Sequence, residues 1–207
     1  MQESTVQGFL QDLASRNPTP GGGGAAAIMG AMGAALLSMV ANLTLGKKGY
    51  EAVEAEMQEQ LAQTETLRAR FLDLATQDAL AFNQLMAGYR LPKQTQADQV
   101  LRAAAIQRGL EAATRVPLDC AHTCAEAIRL AQRSAVIGHQ NVISDTGVAV
   151  LALLAALRSA ALNVDINLPT IQDAAFVTRV RTQLEHLLQE DVPRAEAVHE
   201  AVRQRLR

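Results

Sequence analysis

From Gly22 to Leu45 the chain carries no charge, and small residues return at every fourth position: Gly22, Ala26, Gly30, Ala34 and Ser38. That spacing puts them on one face of a helix. A glycine inside a helix costs about 1 kcal/mol relative to alanine. A helix built this way needs something to come very close to it, such as another helix or a flat ligand. The segment is therefore expected to form a helix over about 23–45, ending at Gly46, with Lys47 and Lys48 beside the negative end of its dipole. It is long enough to span a bilayer. However, it is mostly Gly and Ala, with Ser38, Asn42 and Thr44 in its second half. It reads as a buried central helix rather than a membrane span.

Composition narrows the class. Thirty-eight of the 207 residues are alanine, the strongest helix former. Aromatic residues make up 3% of the chain, which leaves too few bulky residues for a β-sandwich or barrel. At 49% hydrophobic residues the chain is too apolar to be disordered. A formal net charge of −2, with no tryptophan, offers neither the basic face nor the stacking residues of a nucleic-acid-binding domain. The N-terminus lacks the long apolar core of a secretory signal, so the cytoplasm is the expected compartment. Cys120 and Cys124 stand on one helix face and read as buried free thiols. No His, Cys, Asp or Glu spacing suggests a metal site.

Residues 5–15 show the i, i+3, i+4, i+7 pattern of an amphipathic helix in Val6, Phe9, Leu10 and Leu13. A long helix is expected over about 50–88, and another over 96–136 with a kink or break at Pro117. A second very apolar helix is expected over 146–162, with Ser144 or Asp145 as its N-cap. Thr170 with Asp173 suggests a capping-box variant. Pro193 is expected to separate a final helix. The whole, residues 1–207, reads as one all-α domain: a helical bundle with two central apolar helices rich in Ala and Gly.

Three places could carry chemistry. Gly21, Gly22, Gly23 and Gly24 lead into a helix whose free N–H groups could meet a carboxylate or a polar ring edge. They are neither a dinucleotide fingerprint nor a P-loop, because no strand precedes them and no Gly-Lys-Ser/Thr follows. Asp78 falls on the apolar stripe of Leu67, Phe71, Leu74, Phe82 and Leu85. Burial there would raise its pKa and fit it for acid–base work, although a structural ion pair or a partly solvated edge position explains it too. Lys47 and Lys48 could anchor an acidic ligand, or simply form a solvated helix end. Asn141, Asp145, Asn163 and Asn167 bracket the second apolar helix, and could all be caps.

Three strings together resemble a known family: PTPGGGGAAAIMGAMGAALLSMVANLTLGKKGYE, DALAFNQLMAGYRLPK and NVISDTGVAVLALLAALRSAALNVDIN. They are similar to the formiminotetrahydrofolate cyclodeaminase / methenyltetrahydrofolate cyclohydrolase family, in their order and over about residues 5–190. The resemblance implies an all-helical domain that dimerises, with folate as substrate and no further cofactor, metal or nucleotide. Two reactions run on that scaffold. One closes 5-formiminotetrahydrofolate to the 5,10-methenyl form and releases ammonia. The other opens 5,10-methenyltetrahydrofolate with water to 10-formyltetrahydrofolate. No formiminotransferase region precedes the matching residues, so hydrolysis is the expected reaction and cyclodeamination the alternative. A non-catalytic helical binding module is the rival from another class.

The resemblance places an Asp in the D-x-x-A-F string, and the stripe selects the same Asp78 as base. Asp145 is the second carboxylate candidate. Lys47 or Lys48 would hold a polar oxygen of the intermediate or the glutamate tail. Gly21–Gly24 would let the pterin approach the backbone beside Phe82. Asn141, Asn163 and Asn167 would hydrogen-bond pterin nitrogens. The Gly/Ala ridge suggests close contact across a two-fold axis.

Overall fold

A helix made of small residues can be approached closely on several sides, and the helix at Gly22–Thr44 is approached in this way. The computed structural model describes residues 5–207, and none of these is in a strand. Six α-helices follow in order: α1 (Val6–Leu13), α2 (Gly22–Thr44), α3 (Glu54–Arg90), α4 (Gln96–Ile137), α5 (Ile143–Asp165) and α6 (Ala174–Arg205). Single 3-10 turns at Glu51–Val53, Gln140–Val142 and Leu168–Thr170 lead into or out of them. The fold is all-α, as expected.

The glycines of α2 face its neighbours within the chain. A methyl at Gly30 would overlap the ring of Phe71 on α3, which is fully buried. A methyl at Gly33 would lie 2.6 Å from Leu153 Cγ and 3.0 Å from the Ala149 carbonyl on α5. So α2 is clasped between α3 and α5, and close approach offsets the low helix propensity of glycine. The small-residue ridge is thus used up inside the chain. It is not free to pack across a two-fold axis, which corrects the sequence reading.

Opposed pairs fix the directions. Gly30 meets Phe71 and Ser38 donates to Thr64 Oγ1 at 2.9 Å, so α2 and α3 run antiparallel. Gly22 lies by Asn163 and Gly33 by Leu153, so α2 and α5 run antiparallel as well. By length and composition α2 and α5 could each cross a membrane, but half or more of each apolar window is buried in the bundle. The α4–α6 contact is tied by Asp191, which is fully buried and paired with Arg129 at 3.3 Å and Arg194 at 3.1 Å. By contrast, α1 buries none of its residues, although Val6 and Leu10 are apolar and exposed.

Several boundaries differ from the sequence reading. Pro117 does not break α4, which runs unbroken from Gln96 to Ile137. Proline has no N–H to give to the carbonyl four residues back. That carbonyl, on Ala113, instead accepts from Asn167 Nδ2 at 3.2 Å. Pro193 likewise sits within a continuous α6. α5 starts at Ile143 after a 3-10 turn, with neither Ser144 nor Asp145 as cap; Asp145 lies in its first turn. Asp173 is itself the N-cap of α6, its Oδ1 accepting from the Phe176 N–H at 3.0 Å, while Thr170 bonds to the Asn167 carbonyl.

Candidate active site

The N-terminal turn of α2 has no side chains, because Gly21 is its N-cap and Gly22–Gly24 its first residues. Its N–H groups are left without intrahelical partners. The space a side chain would fill is taken by Asp78 of α3. A methyl at Gly23 would overlap the Asp78 carboxylate, and one at Gly24 would lie 3.9 Å from Asp78 Oδ2. Gly21 has only the Pro18 carbonyl nearby, at 3.7 Å. So Gly23 is required by the carboxylate, while Gly21 is open.

Asp78 follows from the sequence stripe. Leu74 and Ala75 before it and Ala81 and Leu85 after it are buried, which holds the carboxylate half-buried at the edge of the core. Burial pushes its pKa above the usual aspartate value, and the Gly24 N–H pulls it part of the way back. The result is a carboxylate more basic than a free one, resting against the positive end of a helix dipole. Such a group can accept a proton and offset a nearby cation.

Asn163, on the last turns of α5, joins this cluster. Its Oδ1 lies 3.4 Å from where a Gly22 methyl would stand, and its Nδ2 donates to the Ser159 carbonyl at 2.8 Å. The amide thus lies against Gly22 through both its oxygen and its nitrogen, and with Nδ2 bonded to Ser159 its Oδ1 is open to accept from a ligand. Asn167 is a different case. Its Nδ2 donates to the carbonyls of Ala113 and Asn163, so its donor is spent on the backbone. That ties the last turn of α5 to α4, and leaves Oδ1 as the atom of Asn167 open to a ligand. Phe82 lies one helical turn beyond Asp78 on α3 and is half-buried.

The other candidates lie elsewhere. Lys47 and Lys48 follow the far end of α2, in a turn where Gly46 and Gly49 take positive φ of 68° and 91°. From Gly24 to Thr44 the helix rises about 30 Å at 1.5 Å per residue. Within one chain neither lysine reaches Asp78. Asn141 and Asp145, at the start of the antiparallel α5, belong to the lysine end too. Sequence reasoning missed two neighbours there: the Tyr50 hydroxyl accepts from the Gln140 N–H at 3.0 Å, and its ring packs on His139 with centroids 5.2 Å apart. Tyr50 closes the GKKGY string, which was the available signal. A cavity of 360 Å³ opens here between Lys47, Lys48, Glu51 and Glu54. The sequence-level candidates thus form two clusters, one at each end of α2.

Residues 5–186 match the family described as Formiminotransferase-cyclodeaminase. The chain belongs to that family. It is 50% identical over 202 residues to the methenyltetrahydrofolate cyclohydrolase of Methylorubrum extorquens, covering 98% of this chain and 97% of that one. It is 39% identical over 182 residues to the formimidoyltransferase-cyclodeaminase of Sus scrofa, of which it spans 34%. The crystal structure of formiminotetrahydrofolate cyclodeaminase from Thermotoga maritima superposes with a TM-score of 0.86 at 32% identity, covering 99% of this chain and 96% of that one.

In this member of the cyclodeaminase family the strings that carried the resemblance divide between the two clusters. PTPGGGG and DALAF build the Asp78 end, and LGKKGY and NVISD the lysine end. Among the described residues, no group of three or more His, Cys, Asp and Glu could hold a metal. Cys120 and Cys124 are buried free thiols, and burial pushes the Cys124 thiol well up.

Proposed function

We propose that this protein hydrolyses 5,10-methenyltetrahydrofolate to 10-formyltetrahydrofolate, with Asp78 as the base. The observation that carries the reading is 50% identity across nearly the whole of both chains to a methenyltetrahydrofolate cyclohydrolase. The setting of Asp78 supports its role. The methenyl carbon bridges N5 and N10 in a cation, and a carboxylate beside it lowers the energy of that charge. Water attacks the carbon and gives a proton to Asp78, forming a tetrahedral carbinolamine. Its C–N5 bond then breaks as the proton passes from Asp78 to N5, the hydroxyl loses its own proton to solvent, and the resulting formyl group stays on N10, so that one proton is released per turnover. Water is the only co-reactant in this scheme, and Asp78 supplies its acid–base chemistry.

Gly22–Gly24 leave room for the flat pterin, and Asn163 Oδ1 offers it an acceptor. The protein works as a homodimer in the cytoplasm. The reading is tested by following the ultraviolet absorbance of 5,10-methenyltetrahydrofolate against a buffer blank. Saturable decay supports it. No acceleration, with ammonia released from 5-formiminotetrahydrofolate, would assign the cyclodeaminase reaction named for the more distant relatives.

A further inference from the structure

Beyond Asp78, positive charge gathers where α3 turns into α4. From residue 79 to 110 the chain carries Arg90, Lys93, Arg102 and Arg108 against one acid, Asp98. That stretch is net +3 in a chain that is net −2. Asp98 is already engaged, its Oδ2 accepting from the Thr95 N–H at 3.0 Å in the capping box of α4. Among the described residues none of the four cations makes an ion pair, whereas Arg68 on α3 and Arg115 and Arg133 on α4 each hold a carboxylate. Like charges crowded without counter-charge repel one another, and the same field attracts an anion.

Arg102 is the cation held in place. It is half-buried, its guanidinium lies 5.8 Å over the ring centre of Tyr89, and Nη2 donates to the Tyr89 carbonyl at 3.2 Å. Its Nε is buried and finds no acceptor among the described residues. A guanidinium fixed in this way, with donors unspent, suits a planar carboxylate.

Asp78, Phe82 and Tyr89 follow at i, i+4 and i+11, so they stand on one face of α3. Phe82 is half-buried and Tyr89 is 41% exposed. From Asp78 to Tyr89 the helix rises about 16 Å at 1.5 Å per residue. In tetrahydrofolate the aminobenzoyl ring and its amide carry the first glutamate about 10 Å from the methenyl carbon, and each further γ-linked glutamyl unit adds about 6 Å. A substrate with its methenyl carbon at Asp78 therefore brings the carboxylates of a second or third glutamyl unit level with Arg102.

We propose that the turn between α3 and α4 is the site for a poly-γ-glutamyl tail on the folate: Phe82 supports the aminobenzoyl ring, and Arg102, stacked on Tyr89, holds a tail carboxylate. The proposal rests on the folate-hydrolase reading above and names the form of the substrate. Lys93 and Arg90, exposed at the same turn, add charge without a fixed geometry.

Turnover of the monoglutamyl and triglutamyl forms of 5,10-methenyltetrahydrofolate is the test, followed by ultraviolet absorbance. The parent's kcat/KM should be about tenfold higher for the triglutamyl form, the worth of a hydrogen bond to a charged group. The gain should lie in KM, with kcat alike, because the tail is remote from the reacting carbon. In Arg102→Gln the ratio between the two substrates should fall to about two or less. Both substrates meet one preparation, so a misfolded fraction does not alter that ratio. In the parent the ratio should also shrink as salt rises. A parent ratio near one, a tenfold ratio that survives in Arg102→Gln, or a ratio indifferent to salt would overturn the tail site while leaving the hydrolase reading in place. A parent that turns over neither form would refute the hydrolase reading, and this proposal with it.

Discussion

At the scale of single residues the decisive contact is between Gly23 and Asp78. The overlapping atom is the far end of a side chain, so Gly23→Ala should fold normally but push the carboxylate out of place. We expect its kcat to fall by about 100-fold or more, the usual worth of a positioned base, with Tm held. Gly21→Ala, with open space, should change neither. Burial raises the pKa of Asp78, so the folded protein holds that proton more tightly than the unfolded chain does. Between the two pKa values stability therefore falls as pH rises, and above both the whole penalty remains. Asp78→Asn should remove the penalty, giving a Tm at neutral pH equal to or above the parent's while turnover is lost. Any gain should vanish in acid. In the parent, kcat/KM should decline on the acid side at a pH above that of a free aspartate, because the base must be ionised.

At the scale of elements, α4 stays unbroken through Pro117, and a residue on another segment replaces the missing hydrogen bond. Removing that residue in Asn167→Ala leaves the Ala113 carbonyl unpaired. Urea unfolding should show a loss of about 1–3 kcal/mol. Pro117→Ala restores an N–H at the right place, so the double variant should lose less than the sum of the singles. α2 gives a second case. Gly30→Ala drives a methyl into the buried Phe71 ring, which cannot swing away, and should cost about 1–3 kcal/mol of stability. The difference from Gly23→Ala is one of neighbours: a mobile carboxylate end against a packed ring.

At the scale of the whole molecule, the outward faces of α2 and α5 should govern assembly. Met39 and Leu151 are partly exposed and contribute little to the core. Met39→Glu/Leu151→Glu should therefore fold with native helix content but shift light scattering from twice the chain mass to the chain mass. Turnover should fall with dimer content and partly return at higher protein concentration. Retention of the dimer would place the interface elsewhere.

Much of this protein is written in its local sequence. Helix content follows from alanine abundance and 3.6-residue periodicity, which are properties of neighbouring residues, and the all-α class was legible from them. Asp78 was legible as well, because a carboxylate on an apolar stripe is a conflict visible in one helix. Pro117 and Pro193 misled the reading of boundaries: proline removes a hydrogen bond locally, but whether the helix breaks depends on what lies across from it. The glycine ridge signalled a close approach without naming the neighbour, and the fold used it, at Gly30, for Phe71 inside the chain. The sequence likewise listed Lys47, Asp78, Asn141 and Asn163 together without saying how far apart they stand. Distance between segments is set by helix length and direction of packing, so the separation into two ends was decided only by the tertiary structure.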